Sequence, residues 1–223
     1  MKQQSSRLGT EKIPALLVKL SLPAFIGMFV NALYNILDAI FMARGVGTIG
    51  LAALSIVFPI QMIISASAAT FGVGGASIIS RRLGEKRLNE ANKVFGHIIW
   101  LIIFFSLIVM IAAFLLIEPL LRFFGATDVI LPYAKDYLQI ILIGSVIFSF
   151  AMGTNNVVRS EGNAKLAMNT MLVGTVVKLI ITPIFIFGLE MGMRGAALST
   201  IIGQSTSAIW LLKYFWAEEV RFK

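Results

Sequence analysis

IIWLIIFFSLIVMIAAFLLI, residues 98–117, runs twenty positions without one charged side chain. A helix rises about 1.5 Å per residue, so this stretch covers the ~30 Å hydrocarbon core of a bilayer. Inside that core a backbone must satisfy its own hydrogen bonds, which a helix does. The pattern repeats on either side. Six apolar stretches of span length lie at about 14–43, 50–80, 93–117, 128–158, 164–188 and 195–216, with short connectors. The 223-residue chain is 58% hydrophobic and 13% charged, where a soluble domain holds about 45–50% and about 25%. The sequence therefore predicts an all-α membrane protein of six transmembrane helices, multi-pass in the cell membrane and surrounded by the lipid bilayer. Three parts are expected: a polar cytoplasmic N-terminal stretch (1–12), a six-helix lobe (13–216) and a cytoplasmic tail (217–223).

Orientation follows from the basic residues, which accumulate on the cytoplasmic side of membrane proteins. With the N-terminus inside, Arg44, Arg122, Lys135 and Arg194 fall in outer segments and Lys178 lies within the membrane. The remaining fourteen of nineteen Lys and Arg fall inside, so both termini are expected to be cytoplasmic. The same distribution accounts for the net charge of +8 without a nucleic-acid partner, because the charges flank spans rather than cover one soluble face. With no cysteine there is no disulfide framework and no thiolate metal site. The one histidine, His97, lies near Trp100 at the start of a span and reads as an interfacial polar residue. No Walker-type phosphate loop, HExxH motif or GxSxG elbow occurs. No enzymatic activity, catalytic residue, metal site or bound cofactor is therefore expected. The apolar run after residue 12 is too long for a signal-peptide core, so no cleavage is expected.

Within the spans, proline and glycine mark bends and close contacts. Pro23, Pro59 and Pro183 lie inside spans, and Gly72, Gly74 and Gly75 cluster in the second, as membrane bundles tolerate. Two charges stand apart from all others: Asp38 in the first span and Lys178 in the fifth. An ionisable side chain in mid-span costs at least ~2.5–3.5 kcal/mol and usually faces a bundle interior or a wet cavity. Asn31, Tyr34 and Asn35 recur with Asp38 at helical spacing, so the four share one face. Thr175, Lys178 and Thr182 share another, followed by Pro183, which crowds the carbonyl of Leu179 one turn back. Spans one and five run in the same direction, and both charges lie about two-thirds of the way across. An Asp38–Lys178 pair is thus allowed by depth. Asn155 and Asn156 in span four, and Thr200 and Gln204 in span six, are further polar candidates. For the amides and hydroxyls, interhelical hydrogen bonding is the competing reading.

Seven motifs in order carry a resemblance. They are Lys19-Leu20-Ser21-Leu22-Pro23, the run Asn31 to Asp38, Arg44-Gly45-Val46-Gly47, Gly74-Gly75-Ala76-Ser77, Arg82-Leu83-Gly84-Glu85, Arg159-Ser160-Glu161-Gly162-Asn163 and Gly192 to Leu198. Together they resemble the amino-terminal lobe of the multidrug and toxic compound extrusion (MATE) family, from about Gly9 to Tyr214. The resemblance implies a secondary antiporter exporting cationic or amphipathic drug-like compounds in exchange for Na⁺ or H⁺. It implies a fold of twelve helices in two lobes around a central cavity. This chain resembles one lobe, so a second six-helix lobe, from a homodimer or a split partner, is expected. The resemblance places Asp38, Tyr34, Asn155, Asn156 and Thr200 in the cation-coupling network; the polar residues Asn31, Asn35 and Gln204 are added as cavity candidates from their positions within the spans. Helix five departs: many relatives read Asn-x-x-x-Asp-Pro where this chain has Lys178-Leu179-Ile180-Ile181-Thr182-Pro183. A base replaces the amide and a hydroxyl replaces the second acid, so coupling through Lys178 and Thr182 is expected to be impaired. The alternatives are a non-transporting module or transporter fragment that pairs with another lobe, and a lipid-linked precursor flippase of the same superfamily.

Overall fold

The computed structural model describes residues 13–221. The N-terminal stretch 1–12 lies outside the described residues, as does the side chain of Asn31. The elements are α1 (Ile13–Gly45), α2 (Thr48–Gly84), α3 (Leu88–Leu115), α4 (Ile117–Phe123), α5 (Leu131–Ser160), α6 (Ala164–Pro183), a π-helical turn (Ile184–Gly188) and α7 (Gly192–Arg221). There is no strand among the described residues. Five helical segments are long and apolar enough to cross a membrane: Ser21–Gly45, Thr48–Gly84, Leu88–Leu115, Leu131–Ser160 and Ala164–Gly188. The protein is accordingly an integral, multi-pass membrane protein.

The helices depart from the expected spans in three places. First, α2 runs through Arg81 and Arg82 to Gly84, since basic side chains end an apolar stretch without ending a helix and suit the last turn. Second, the chain beyond span three forms the short α4. Ile117 and Leu121 are buried there, while Arg122 pairs outward with Asp128 at 2.9 Å and Glu118 at 3.2 Å. Those hydrogen bonds, to Asp128 first and Glu118 second, raise the Arg122 guanidinium pKa above its ordinary value. Third, α7 is 30 residues long yet does not join the five apolar segments, because Ser199, Thr200, Gln204, Ser205, Thr206 and Ser207 dilute it. Several of these hydroxyls are satisfied within the bundle. Ser199 and Thr200 bond the Ala196 carbonyl at 2.8 and 2.9 Å, and Ser207 bonds the Thr170 carbonyl at 2.8 Å.

Turns between helices are tight. Gly162, with φ +85°, takes the left-handed conformation open to glycine and lets Asn163 cap α6, its side chain accepting from the Leu166 amide at 3.2 Å. At the far end of α6, Pro183 cannot donate at its own position. The helix leaves through the π turn, closed by the Leu189 amide on the Ile184 carbonyl at 2.9 Å.

α5 is the central post. It buries 61% of its apolar stretch, against 12% for α1, and packs against α2, α3 and α7, while α1 rests mainly on α6. Met42, Val57, Leu121, Leu138 and Leu142 are wholly buried at the end holding α4. Small residues bring helices together elsewhere. A Cβ at Gly72 would lie 2.9 Å from Gly153 Cα on α5, and one at Gly203 would lie 2.6 Å from the Gly174 carbonyl on α6. Gly74 contacts nothing in this way. The arrangement leaves a cleft between α1 and α2, and that cleft holds the site.

Candidate functional site

The cleft opens into a cavity of about 810 Å³. α1 contributes Tyr34, Asn35 and Asp38; α2 contributes Ser55, Phe58, Gln61 and Ser65; α5 contributes Tyr137, Ser145 and Phe148; α7 contributes Thr200 and Gln204. Asp38 is the one carboxyl group among these lining residues and is only 9% exposed.

Lys178 reaches Asp38 from α6. Its Nζ lies 3.3 Å from Asp38 Oδ2, donates also to the Tyr34 hydroxyl, and sits 4.0 Å from the Tyr34 ring centroid. The two mid-span charges therefore neutralise each other, as burial demands. A buried charge left without its partner costs about 3–5 kcal/mol. The close α6–α7 contact sets this geometry. A Cβ at Gly203 would stand 2.9 Å from Lys178 Cβ, so glycine there lets the lysine stem pass between the helices. Lys178 and Thr182 share the face toward α7, but the long lysine stem carries its amine across to α1. Thr182 stays behind, its hydroxyl bonding the Lys178 carbonyl at 2.8 Å and lying 2.9 Å from the Ser199 hydroxyl. Lys178 lines a smaller alcove of about 160 Å³ with Thr175 and Ser207. Tyr34, Phe148, Thr200 and Gln204 line both chambers.

The structure thus gathers Tyr34, Asn35, Asp38, Lys178, Thr200 and Gln204 around one pair of chambers. It does not bring Asn155, Asn156 or Thr182 to them. Asn155 Nδ2 bonds the Ala167 carbonyl at 2.9 Å and Thr170 Oγ1 at 3.0 Å, and its Oδ1 accepts from Arg159 Nε at 3.1 Å. Asn156 Nδ2 abuts Gly72 of α2, 3.0 Å from where a Cβ would stand. His97 is exposed, its Nδ1 2.6 Å from the Lys93 carbonyl. None of the lining residues of α2 and α5 was among the sequence candidates, and two of them are instructive. Gln61 is one polar side chain amid apolar neighbours, a usable signal. Tyr137 follows Lys135 and Asp136 near a span end and resembles an interfacial residue. It is 3% exposed and lies 3.5 Å from Gln61 Nε2.

No group of three or more His, Cys, Asp or Glu side chains converges among the described residues. The arrangement instead offers one carboxylate, held by an ammonium on its inner side and facing an open polar chamber on the other.

Comparison with known proteins assigns the arrangement to a family. The MatE family model matches residues 23–184. This chain belongs to the MatE family. Among curated relatives it is 32% identical over 195 residues to the FAD transporter of Shewanella oneidensis, covering 85% of this chain and 42% of that protein. It is 29% identical over 195 residues to the multidrug export protein MepA of Staphylococcus haemolyticus, covering 87% and 43%. Among solved structures it matches the MATE multidrug transporter DinF-BH, at 53% identity and TM-score 0.91, covering 98% of this chain and 49% of that one. A MATE structure in the bent conformation matches at 33% identity and TM-score 0.85, covering 92% and 45%. The chain thus spans less than half the length of these MatE relatives.

Proposed function

We propose that this chain is one lobe of a secondary carrier that exports cationic or amphipathic compounds in exchange for H⁺ or Na⁺. In this reading α7 is the sixth membrane-crossing helix and both termini are cytoplasmic, in line with the basic residues. The observation that carries it is the 810 Å³ cavity, polar and open on one side between α1 and α2. An open polar face is costly against hydrocarbon, so a second six-helix lobe is required to close it, from another copy or a partner chain. The relatives' greater length supports the same requirement.

The acid at the cavity sets the substrate class. Asp38 attracts a cation, and opposite charges about 4 Å apart attract by about 4 kcal/mol at an effective dielectric near 20. Lys178 already occupies that electrostatic place, so with both groups ionised the site has no net charge. A cationic substrate or a coupling ion must then compete with the Lys178 ammonium for the carboxylate. Na⁺ binding through this lobe is weak for the same reason, and Thr182, turned toward Ser199, supplies no second acid.

Sodium binding to the purified chain and to the double variant Lys178→Asn/Thr182→Asp tests this reading. The variant is expected to bind Na⁺ at least tenfold more tightly. Equal, strong binding by both proteins contradicts it.

A further inference from the structure

The helices around α5 leave a second opening, between α3 and α7, at the end of the bundle that holds the α2–α3 and α5–α6 turns. It encloses about 700 Å³. Its walls are apolar, from Leu83, Phe95, Ile99, Ile209 and Leu212, and the Phe95 and Phe215 rings meet across it at 4.5 Å. Gly96 lines it too, and a Cβ there would meet nothing within 4 Å. Between its polar residues the groove presents mainly apolar surface. In a bilayer its natural content is hydrocarbon.

The mouth is chemically different. Lys213 is exposed and lines the groove with Asn92 and Trp216. Trp216 is 74% exposed, the setting in which tryptophan marks the headgroup layer. Lys213 has no carboxylate within ion-pair distance among the described residues, and neither do the nearby cations Arg81 and Lys93. The acids of the α2–α3 turn, Glu85 and Glu90, are engaged by Arg82 and Arg87. Glu161 is the one acid of the groove wall. It is 8% exposed and accepts from the Tyr214 hydroxyl at 3.4 Å.

We propose that this groove seats an anionic phospholipid, one acyl chain lying between α3 and α7 and its phosphate held by Lys213. The apolar walls select a lipid, and the exposed ammonium beside an interfacial tryptophan selects a negative headgroup. The site shares no lining residue with the Asp38 cavity and does not depend on the transport reading.

Native mass spectrometry of the full chain in detergent, with dioleoyl phosphatidylglycerol or dioleoyl phosphatidylcholine added, tests the proposal. The wild type is expected to retain phosphatidylglycerol about fivefold more than phosphatidylcholine, the size expected for one basic residue at the membrane surface. Lys213→Gln abolishes that preference while leaving phosphatidylcholine retention unchanged. Gly96→Leu, which fills the groove, lowers retention of both lipids. Equal retention by the wild type and both variants overturns the proposal. So does displacement of the lipid by millimolar inorganic phosphate, which marks a free-anion site, or a dimer mass that is insensitive to lipid, which marks a second copy in the groove. If Gly96→Leu lowers the melting temperature, the exposed Lys213→Gln substitution still decides the matter.

Discussion

Two polar clusters lie inside this bundle, and they use their hydrogen-bonding capacity differently. In the Asn155 cluster the amide's donors go to the Ala167 carbonyl and Thr170, and its oxygen accepts from Arg159. The other arm of Arg159 reaches the Met171 sulfur at 3.0 Å. Every group is turned inward, and the cluster fastens α5 to α6. In the Asp38 cluster the carboxylate meets Lys178 on one side and a polar cavity on the other. The first arrangement holds helices together. The second leaves one side of an acid facing open space.

Substitutions break or sharpen that contrast. The largest effect is expected from Asp38→Asn, which keeps the side-chain shape and removes the charge. Efflux of ethidium, measured with the second lobe present, should fall at least tenfold, and the melting temperature should fall too, because the buried Lys178 loses its ion-pair partner, a loss of about 3–5 kcal/mol. Next comes Gly203→Val. Its side chain would press on the Gly174 carbonyl and the Lys178 stem, and overpacking of this kind costs about 1–3 kcal/mol. Denaturant unfolding should register that loss, while ethidium binding should tighten, because the displaced ammonium no longer competes for Asp38. Asn155→Leu removes three hydrogen bonds and leaves Thr170 and Arg159 short of a partner. Single bonds between membrane helices average about 0.6 kcal/mol, so a loss of about 1–2 kcal/mol is expected in the same unfolding measurement, with ethidium affinity unchanged within twofold. The smallest effect belongs to Gly74→Ala. That position faces open space, and stability should stay within about 0.5 kcal/mol.

Particular residues explain what was legible in advance. Hydrocarbon thickness and charge depth suffice to place Asp38 and Lys178 at one level, and the structure brings them to 3.3 Å. Helix-face reasoning also groups Lys178 with Thr182 correctly, as both face α7. It locates Cβ atoms, however, and not the tip of a long side chain. The Lys178 amine therefore ends on α1 while Thr182 remains with Ser199. Asn155 and Asn156 are neighbours in sequence but about 100° apart around a helix, so one meets α6 and the other α2. Which of two such faces looks into a cavity depends on where the other helices stand, and spacing carries no such information. The helix α4 was missed because Ile117 continues the apolar run of span three, although Glu118 and Arg122, one turn apart, carried a helical signal of their own. Of the polar residues of α7, Thr200 and Gln204 read as site candidates, and both line the cavity. Ser199 and Ser207 instead serve packing against α6.

Ethidium binding by purified wild-type, Asp38→Asn and Asn155→Leu proteins, followed by fluorescence, tests the division between the two clusters most directly. Affinity is expected to fall at least tenfold for Asp38→Asn and to hold within twofold for Asn155→Leu. Equal losses in the two variants, or a loss confined to Asn155→Leu, would contradict the assignment of Asp38 as the cation-facing acid.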